Sequence, residues 1–346
     1  MKRWLLGMLV LVLMFSAVGG AAQERVFVDD AGREIVLDET IDRVVVTGPL
    51  GQIAVFAIAP EMLVGLCSAW DSDAAAYIDT GKYDLPVIGQ IYGGKGNVNL
   101  EELMAANPQV VIDVGEPRGD IEEDLNHLQE QTGLPFVHIS AYIDSLDKTY
   151  TRLGELLGKQ EEAKILADYC ADVYGRVKAL SQRVEKKRLL YVVGEVGLGV
   201  IAKDSYHSAV IDMLSDNLAV LESPSSKGTG NEVDLEQILS WDPDVILFSQ
   251  FADFEQVGED PLWQVVSAVA ANTYYEVPVG PYNWMGFPPG VQRLLGMLWM
   301  GKTLYPHEAQ WDMFEETARH FDLFYHCALT REQYDALIED SIGKLN

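Results

Sequence analysis

Within the loop "GPYNWMGFPPG", which begins at Gly280, Tyr282, Trp284, Met285 and Phe287 gather where a strand should give way to a helix. Loop aromatics can cover a large ligand at little entropic cost, and Arg293 on the following helix adds a cation within reach of an anionic group. Trp70 and Tyr92 offer further aromatic surface. Lys95 lies in "YGGKGN", where glycines let backbone amides approach a ligand. Lys203, Tyr206 and His207 stand at the head of the helix-like stretch "KDSYHSAVIDML". Together Trp70, Tyr92, Lys95, Lys203, Tyr206, His207, Tyr282, Trp284 and Arg293 suit non-covalent capture by aromatic walls and a few positive groups. Each also has a plainer role: a loop tryptophan packs beneath its own loop, a lone histidine sits at the surface, an arginine pairs with a neighbouring acid.

Residue patterns for other chemistry are missing. Six histidines are scattered, His138 inside an apolar strand-like run, so no set of His and carboxylates converges on a bare divalent metal. There is no Cys-x-x-Cys, nucleophile elbow or metalloprotease signature. "GLGVIA" at Gly197 satisfies G-x-G-x-x-A, the strand-to-helix turn of a dinucleotide fold. That keeps an exported enzyme with a dinucleotide-binding fold as a remote alternative. Yet the helix entry at Lys203–Ser205 comes after the motif, where such a helix should already be under way. No enzyme activity and no cofactor are expected.

The elements that must position these residues come in two similar sets. "NVNLEELMAANPQVVIDV" at Asn97 is echoed by "NEVDLEQILSWDPDVILF" at Asn231, with Leu100, Glu101, Pro108 and Val110 each meeting its like 135 residues later. Each copy predicts a helix from a polar entry (Asn99, Asp234), a proline stop after Asn107 or Asp242, and a buried parallel strand. "RVVVTG" at Arg43 and "RLLYVVG" at Arg188 read as the first strand of each half. "LPVIG" and "LPFVHIS" add strands to the first half, and "TYYEVPVG" closes the second. Between the halves, Gly158 separates a shorter helix from a longer one over about Gln160 to Val184. Ile165, Leu166, Tyr169, Val173, Val177 and Leu180 recur on one face of it. Ligand in such open sheets binds beyond the carboxyl ends of the strands. The candidate loops there include "TGPLGQ", "GQIYGGKGN", "GEPRGD", "SSKGTGN" and the aromatic loop above.

The ends and composition set limits. Lys2 and Arg3, an apolar run from Trp4 to Val18 and "GGAA" read as a secretory signal cleaved after Ala22, with no lipid-bearing cysteine behind it. A formal charge of −28, more negative once the two basic residues of the leader are removed, argues against nucleic acid or an anionic membrane as partner. Three cysteines permit at most one internal disulfide, and buried apolar thiols are the favoured reading.

The order of these features, with the opening "VFVDDAGREIVLDETIDRVVV" and the closing "LYP" at Leu304, resembles the ABC-transporter periplasmic substrate-binding proteins of the siderophore, haem and cobalamin type, the class with a helical backbone. The resemblance implies an α/β fold: two Rossmann-like lobes joined by a single long α-helix, with the ligand cleft between them. The expected divisions are a signal peptide at 1–22, an N-terminal lobe at 23–144, connecting helices at 145–186, a C-terminal lobe at 187–306 and a helical extension at 307–346. It further implies a periplasmic protein, expected to be a monomer, that hands a small molecule to an ABC permease dimer in the inner membrane. In that family one exposed glutamate per lobe pairs with permease arginines, and the matching positions are Glu101 and Glu236. A forked guanidinium bonds a carboxylate well, although a glutamate early in a helix is also favoured by the helix dipole alone. The loop aromatics favour a ferric siderophore or similar iron chelate. Haem, cobalamin and oxyanions such as molybdate or tungstate, taken by the same fold, stay as alternatives.

Overall fold

The computed structural model describes residues 23–339 apart from residues 71, 73, 80, 81, 92–95, 118, 195, 196, 226, 251–256 and 287. The leader, Tyr92, Lys95 and Phe287 therefore lie outside the described residues. The chain opens with a hairpin, β1 (Glu24–Val28) and β2 (Glu34–Asp38), paired antiparallel so that Val26 faces Val36. Its inner residues Phe27, Ile35 and Leu37 enter the core. Its turn is tied down by the buried pair Arg33–Asp29 at 2.7 Å, with Arg33 also donating to the Phe136 carbonyl.

The first lobe is a parallel sheet in the order β3 (Val44–Val46), β4 (Val110–Gly115), β5 (Phe136–Ser140). Their β-branched runs are buried on both faces, as crossover helices on a parallel sheet require. These helices include α1 (Pro49–Ile58), α2 (Leu100–Ala106) and α3 (Ile121–Thr132). "LPVIG" forms no strand; only a single bridge joins Val87 to Leu66, beside a proline that cannot donate to a ladder.

Next, α4 (Leu146–Leu157) turns at Gly158, in left-handed backbone at φ 68°, into α5 (Gln160–Ser181). The two helices pack closely because position 154 is glycine: a Cβ there would stand 2.4 Å from that of Ala163. At 1.5 Å per residue α5 reaches ~33 Å. Its buried face carries Leu166, Tyr169, Cys170, Val173, Val177 and Leu180, whereas Ile165, expected on that face, is 57% exposed.

The second lobe holds a mixed sheet. Its core is parallel: β11 (Tyr274–Glu276), β10 (Val245–Phe248) and β6 (Arg188–Val193), with β8 (Asp216–Asn217) parallel to β6. β7 (Gly199–Val200) and β9 (Asn231–Glu232) extend it antiparallel. "GLGVIA" therefore makes the return strand of a hairpin, with Val200 opposite Val192, and not the strand-to-helix turn of a dinucleotide fold. Helices α6 (Ala209–Leu214), α7 (Leu235–Trp241), α8 (Ser267–Ala270) and α9 (Arg293–Leu304) complete the lobe.

α10 (Met313–Tyr325) and α11 (Arg331–Glu339) form the extension. It touches both lobes and α5: His326 bonds the Phe56 carbonyl at 3.1 Å, Arg176 clamps Glu316 at 2.5 and 2.9 Å, and Tyr325 meets Tyr282. One apolar core accordingly runs from Val44 through Tyr169 to Leu189, Trp299 and Phe324. All three cysteines are free thiols; burial pushes Cys67 up to about 11.

Candidate functional site

The duplicated segment produces matching structures. Asn99 caps α2 by accepting from the amides of Glu101 and Glu102, and Asp234 caps α7 by accepting from that of Gln237. Both helices end in a left-handed residue, Asn107 at φ 47° and Asp242 at φ 46°, before the proline. Glu101 and Glu236 thus occupy the same second helical position on opposite lobes, and both are exposed.

Between the lobes lies a cavity of ≈ 700 Å³. From the first lobe it is lined by the ends of β3 and β4 and the head of α1, including Thr47, Gly48, Asp113 and Glu116. From the second it is lined by Tyr206, His207, Lys227–Thr229, Pro288 and Pro289. The first-lobe contribution sits at strand carboxyl ends, as the open-sheet rule requires. Gly48 is the N-cap of α1 and provides no side-chain acceptor; Pro49 follows, and no acid stands in the first turn. Unsatisfied amides and the positive end of the helix dipole therefore face the cavity, an arrangement that favours an anion.

Asp113 is buried on this wall and fully engaged. Its Oδ1 accepts from the Thr47 hydroxyl and its Oδ2 lies 2.8 Å from His138 Nδ1, whose other nitrogen is 3.4 Å from Ser140 Oγ. The network accounts for the polar histidine inside β5. Glu116, by contrast, is exposed at the rim.

On the opposite wall Tyr206 covers Arg293, whose guanidinium carbon lies 5.2 Å from the ring centroid. Arg293 is 2% exposed, has no carboxylate within 4.0 Å among the described residues, and leaves its Nε without a hydrogen-bond partner. Burial pulls the guanidinium below its usual range, with Tyr206 and Glu116 pulling the other way. Burial likewise raises the Tyr206 phenol, opposed by Arg293.

Of the residues singled out by sequence, the structure brings Tyr206 and His207 to the cavity wall and Arg293 directly behind it. It places the other described ones elsewhere, Tyr92 and Lys95 lying outside the described residues. Trp284 is wholly buried and donates to the Gly280 carbonyl at 3.1 Å. Trp70 stacks edge-on to Phe56 and donates to the Tyr83 carbonyl, and Tyr282 packs toward Tyr325. Lys203 pairs with Asp216 at 3.6 Å. Among the described residues Tyr206 supplies the one phenol or indole ring on the wall. Sequence reasoning passed over Thr47, Gly48, Asp113, Lys227 and the two prolines as individual residues. The usable signal was "TGPLG", a helix entry with no capping side chain.

No described helix is long and apolar enough to cross a membrane, and no described group of three or more His, Cys, Asp or Glu is placed to hold a metal. Residues 66–279 match the periplasmic binding protein family. The chain belongs to that family. Such a periplasmic binding protein is the solute-binding component of an ABC transporter, and its relatives are binding proteins rather than enzymes. An ABC transporter solute-binding protein from Sulfurospirillum deleyianum is 25% identical and overlays with a TM-score of 0.82 across 91% of this chain and 99% of that one. The molybdate-binding protein MolA of Haemophilus influenzae is 24% identical over 90% of this chain and 92% of its own. Its molybdate-bound structure overlays at a TM-score of 0.69, covering 88% of this chain and 99% of that one at 22% identity. An Fe3+-hydroxamate transport protein from Saccharomonospora viridis shares the fold at 0.55 and 18% identity, covering 81% and 99%.

Proposed function

We propose that this chain, acting in the periplasm as a monomer and without enzymatic activity, captures a compact anion of the molybdate and tungstate class and delivers it to an ABC permease. One observation carries the reading: across a single cavity, the uncapped head of α1 faces a wall behind which lies a buried guanidinium with no carboxylate partner among the described residues. Oxyanions are held by backbone amides and a few fixed donors. Of the aromatic set that favoured an iron chelate, the described members Trp70, Tyr282 and Trp284 pack away from the cavity. The likeness to a molybdate-binding protein over most of both chains supports the same conclusion. A second reading, an anionic iron chelate, is favoured by the cavity's ≈ 700 Å³, far more than one tetrahedral oxyanion fills. Delivery would use Glu101 and Glu236, whose equivalent helical positions suit a two-fold permease.

Thermal melts separate these ligands. An anion at a hundred times its dissociation constant stabilises the native state by ~2.7 kcal/mol. For a chain this long that raises the midpoint by roughly 2–4 °C for each kcal/mol. A shift with molybdate or tungstate and none with sulfate or ferric hydroxamate is expected; a shift with ferric hydroxamate alone would replace the oxyanion by the chelate.

A further inference from the structure

Arg293 is a buried cation that does not reach the ligand cavity. It starts α9, its Nε has no partner, and the ring laid over it is that of Tyr206, which does line the cavity. Leaving a charged group buried without an opposite charge is costly, so its surroundings must supply a compensating contact. Tyr206 supplies it by its ring, whose centroid lies 5.2 Å from the guanidinium carbon. The backbone is shaped to admit the arginine. Gly286 adopts φ +112°, and a Cβ at that position would stand 2.9 Å from Arg293 Cδ. Arg293 thus has a dedicated slot directly behind one donor on the cavity wall.

We propose that Arg293 is a positioning residue that never touches the ligand and acts through Tyr206. The guanidinium packs against the phenol ring, holds it on the wall and leaves the Tyr206 O–H free to point into the cavity. A phenol whose ring lies beside a cation is a stronger donor, because the charge favours electron withdrawal from the oxygen. Tyr206 then presents to the anion a hydrogen bond reinforced by a full positive charge one layer back. The Arg293 charge itself stays behind the wall, and at this point the cavity meets the neutral phenol. The opposite wall meets the anion with the α1 amides, so the ligand selected is one with acceptor oxygens on opposite sides. This inference rests on the anion reading given above.

A double-mutant cycle read by titration calorimetry with tungstate and with molybdate tests it, using wild type, Tyr206→Phe, Arg293→Met, the double variant and Arg293→Lys. Tyr206→Phe should weaken binding on the order of tenfold, the loss of one charge-reinforced hydrogen bond. Arg293→Met should weaken it about as much, and the double variant little further, because both changes disable the same donor. Arg293→Lys should recover most of the affinity, since an ammonium can place its charge beside the same ring. Thermal midpoints identify folded variants, and Arg293→Gln replaces Arg293→Met if the latter fails to fold. If the two losses multiply in the double variant, Arg293 meets the anion itself and the proposal is wrong. Unchanged affinity in Tyr206→Phe would overturn it as well. Should the wild-type chain bind neither tungstate, molybdate nor a ferric hydroxamate, the anion reading falls, and this inference with it.

Discussion

His320 makes the fold sensitive to mild acid. It lies on the buried face of α10, fully enclosed, with ring centroids of Phe324 at 4.6 Å, Tyr325 at 5.5 Å and Tyr169 at 5.6 Å. Its Nδ1 is 3.3 Å from the Tyr169 hydroxyl, and Nε2 has no partner. Burial holds its pKa at about 3, against 6.5 for the free side chain. Below pH 6.5 the unfolded chain gains a proton that the folded chain refuses. The neutral ring's contribution is thus fully present above pH 6.5 and drains away as pH falls toward 3. The slope is about 1.4 kcal/mol per pH unit, so roughly 2 kcal/mol is lost between pH 7.5 and pH 5. Urea unfolding of wild type and His320→Phe at both pH values isolates this contribution, because the many carboxylates titrate alike in the two proteins. The phenylalanine variant starts lower, having left the Tyr169 hydroxyl unpaired, and should lose about 2 kcal/mol less on acidification. Parallel losses, within ~0.5 kcal/mol, would show that His320 is protonated in the native state and that the reasoning from burial fails.

The paired caps should prove energetically alike: Asn99→Ala and Asp234→Ala should each destabilise by ~1 kcal/mol in chemical unfolding, and their effects should add, since they sit on different lobes. Glu101→Lys with Glu236→Lys should leave anion affinity unchanged in calorimetry while abolishing uptake in cells carrying the cognate permease. Trp284→Ala should cost ~3–5 kcal/mol of stability, because the indole is buried and hydrogen-bonded, yet change tungstate affinity little in the fraction that folds. Cys67 should resist alkylation at pH 8 in the folded protein, burial having raised its thiol to about 11, and react once urea exposes it.

Periodic and punctuated stretches could be read without coordinates. The repeat at Asn99 and Asp234 announced cap, helix, proline stop and strand, and the two copies realise all four. The apolar face of α5 was equally plain apart from Ile165. The site was harder, because aromatic side chains serve cores and ligands with one chemistry. Trp284 sits in a loop and still turns inward, since its indole N–H finds the Gly280 carbonyl four residues back. No local pattern distinguishes that from a tryptophan facing a ligand. Asp113 lay hidden for the opposite reason: inside a strand of valines it reads as a solvated end, and its partners Thr47 and His138 are 66 and 25 residues away.

The same long-range pairing explains how the wall of the proposed anion cavity can hold a carboxylate. Asp113 binds the Thr47 hydroxyl on one oxygen and His138 on the other, so its acceptors are directed back into the lobe. Thr47 stands one residue before Gly48, the uncapped start of α1. A carboxylate that orients this turn leaves the α1 amides as the groups an incoming anion meets, while its own charge is spread over two donors. On the far wall the arrangement is mirrored in sign: Arg293 is withdrawn behind Tyr206, and the phenol is what the cavity presents. Lys227 and the exposed Glu116 add full charges to the lining, whereas Tyr206 and the head of α1 offer neutral donors. A neutral donor costs less to desolvate than a charged one when ligand enters, so these two places are where a proposed anion gains most from a hydrogen bond.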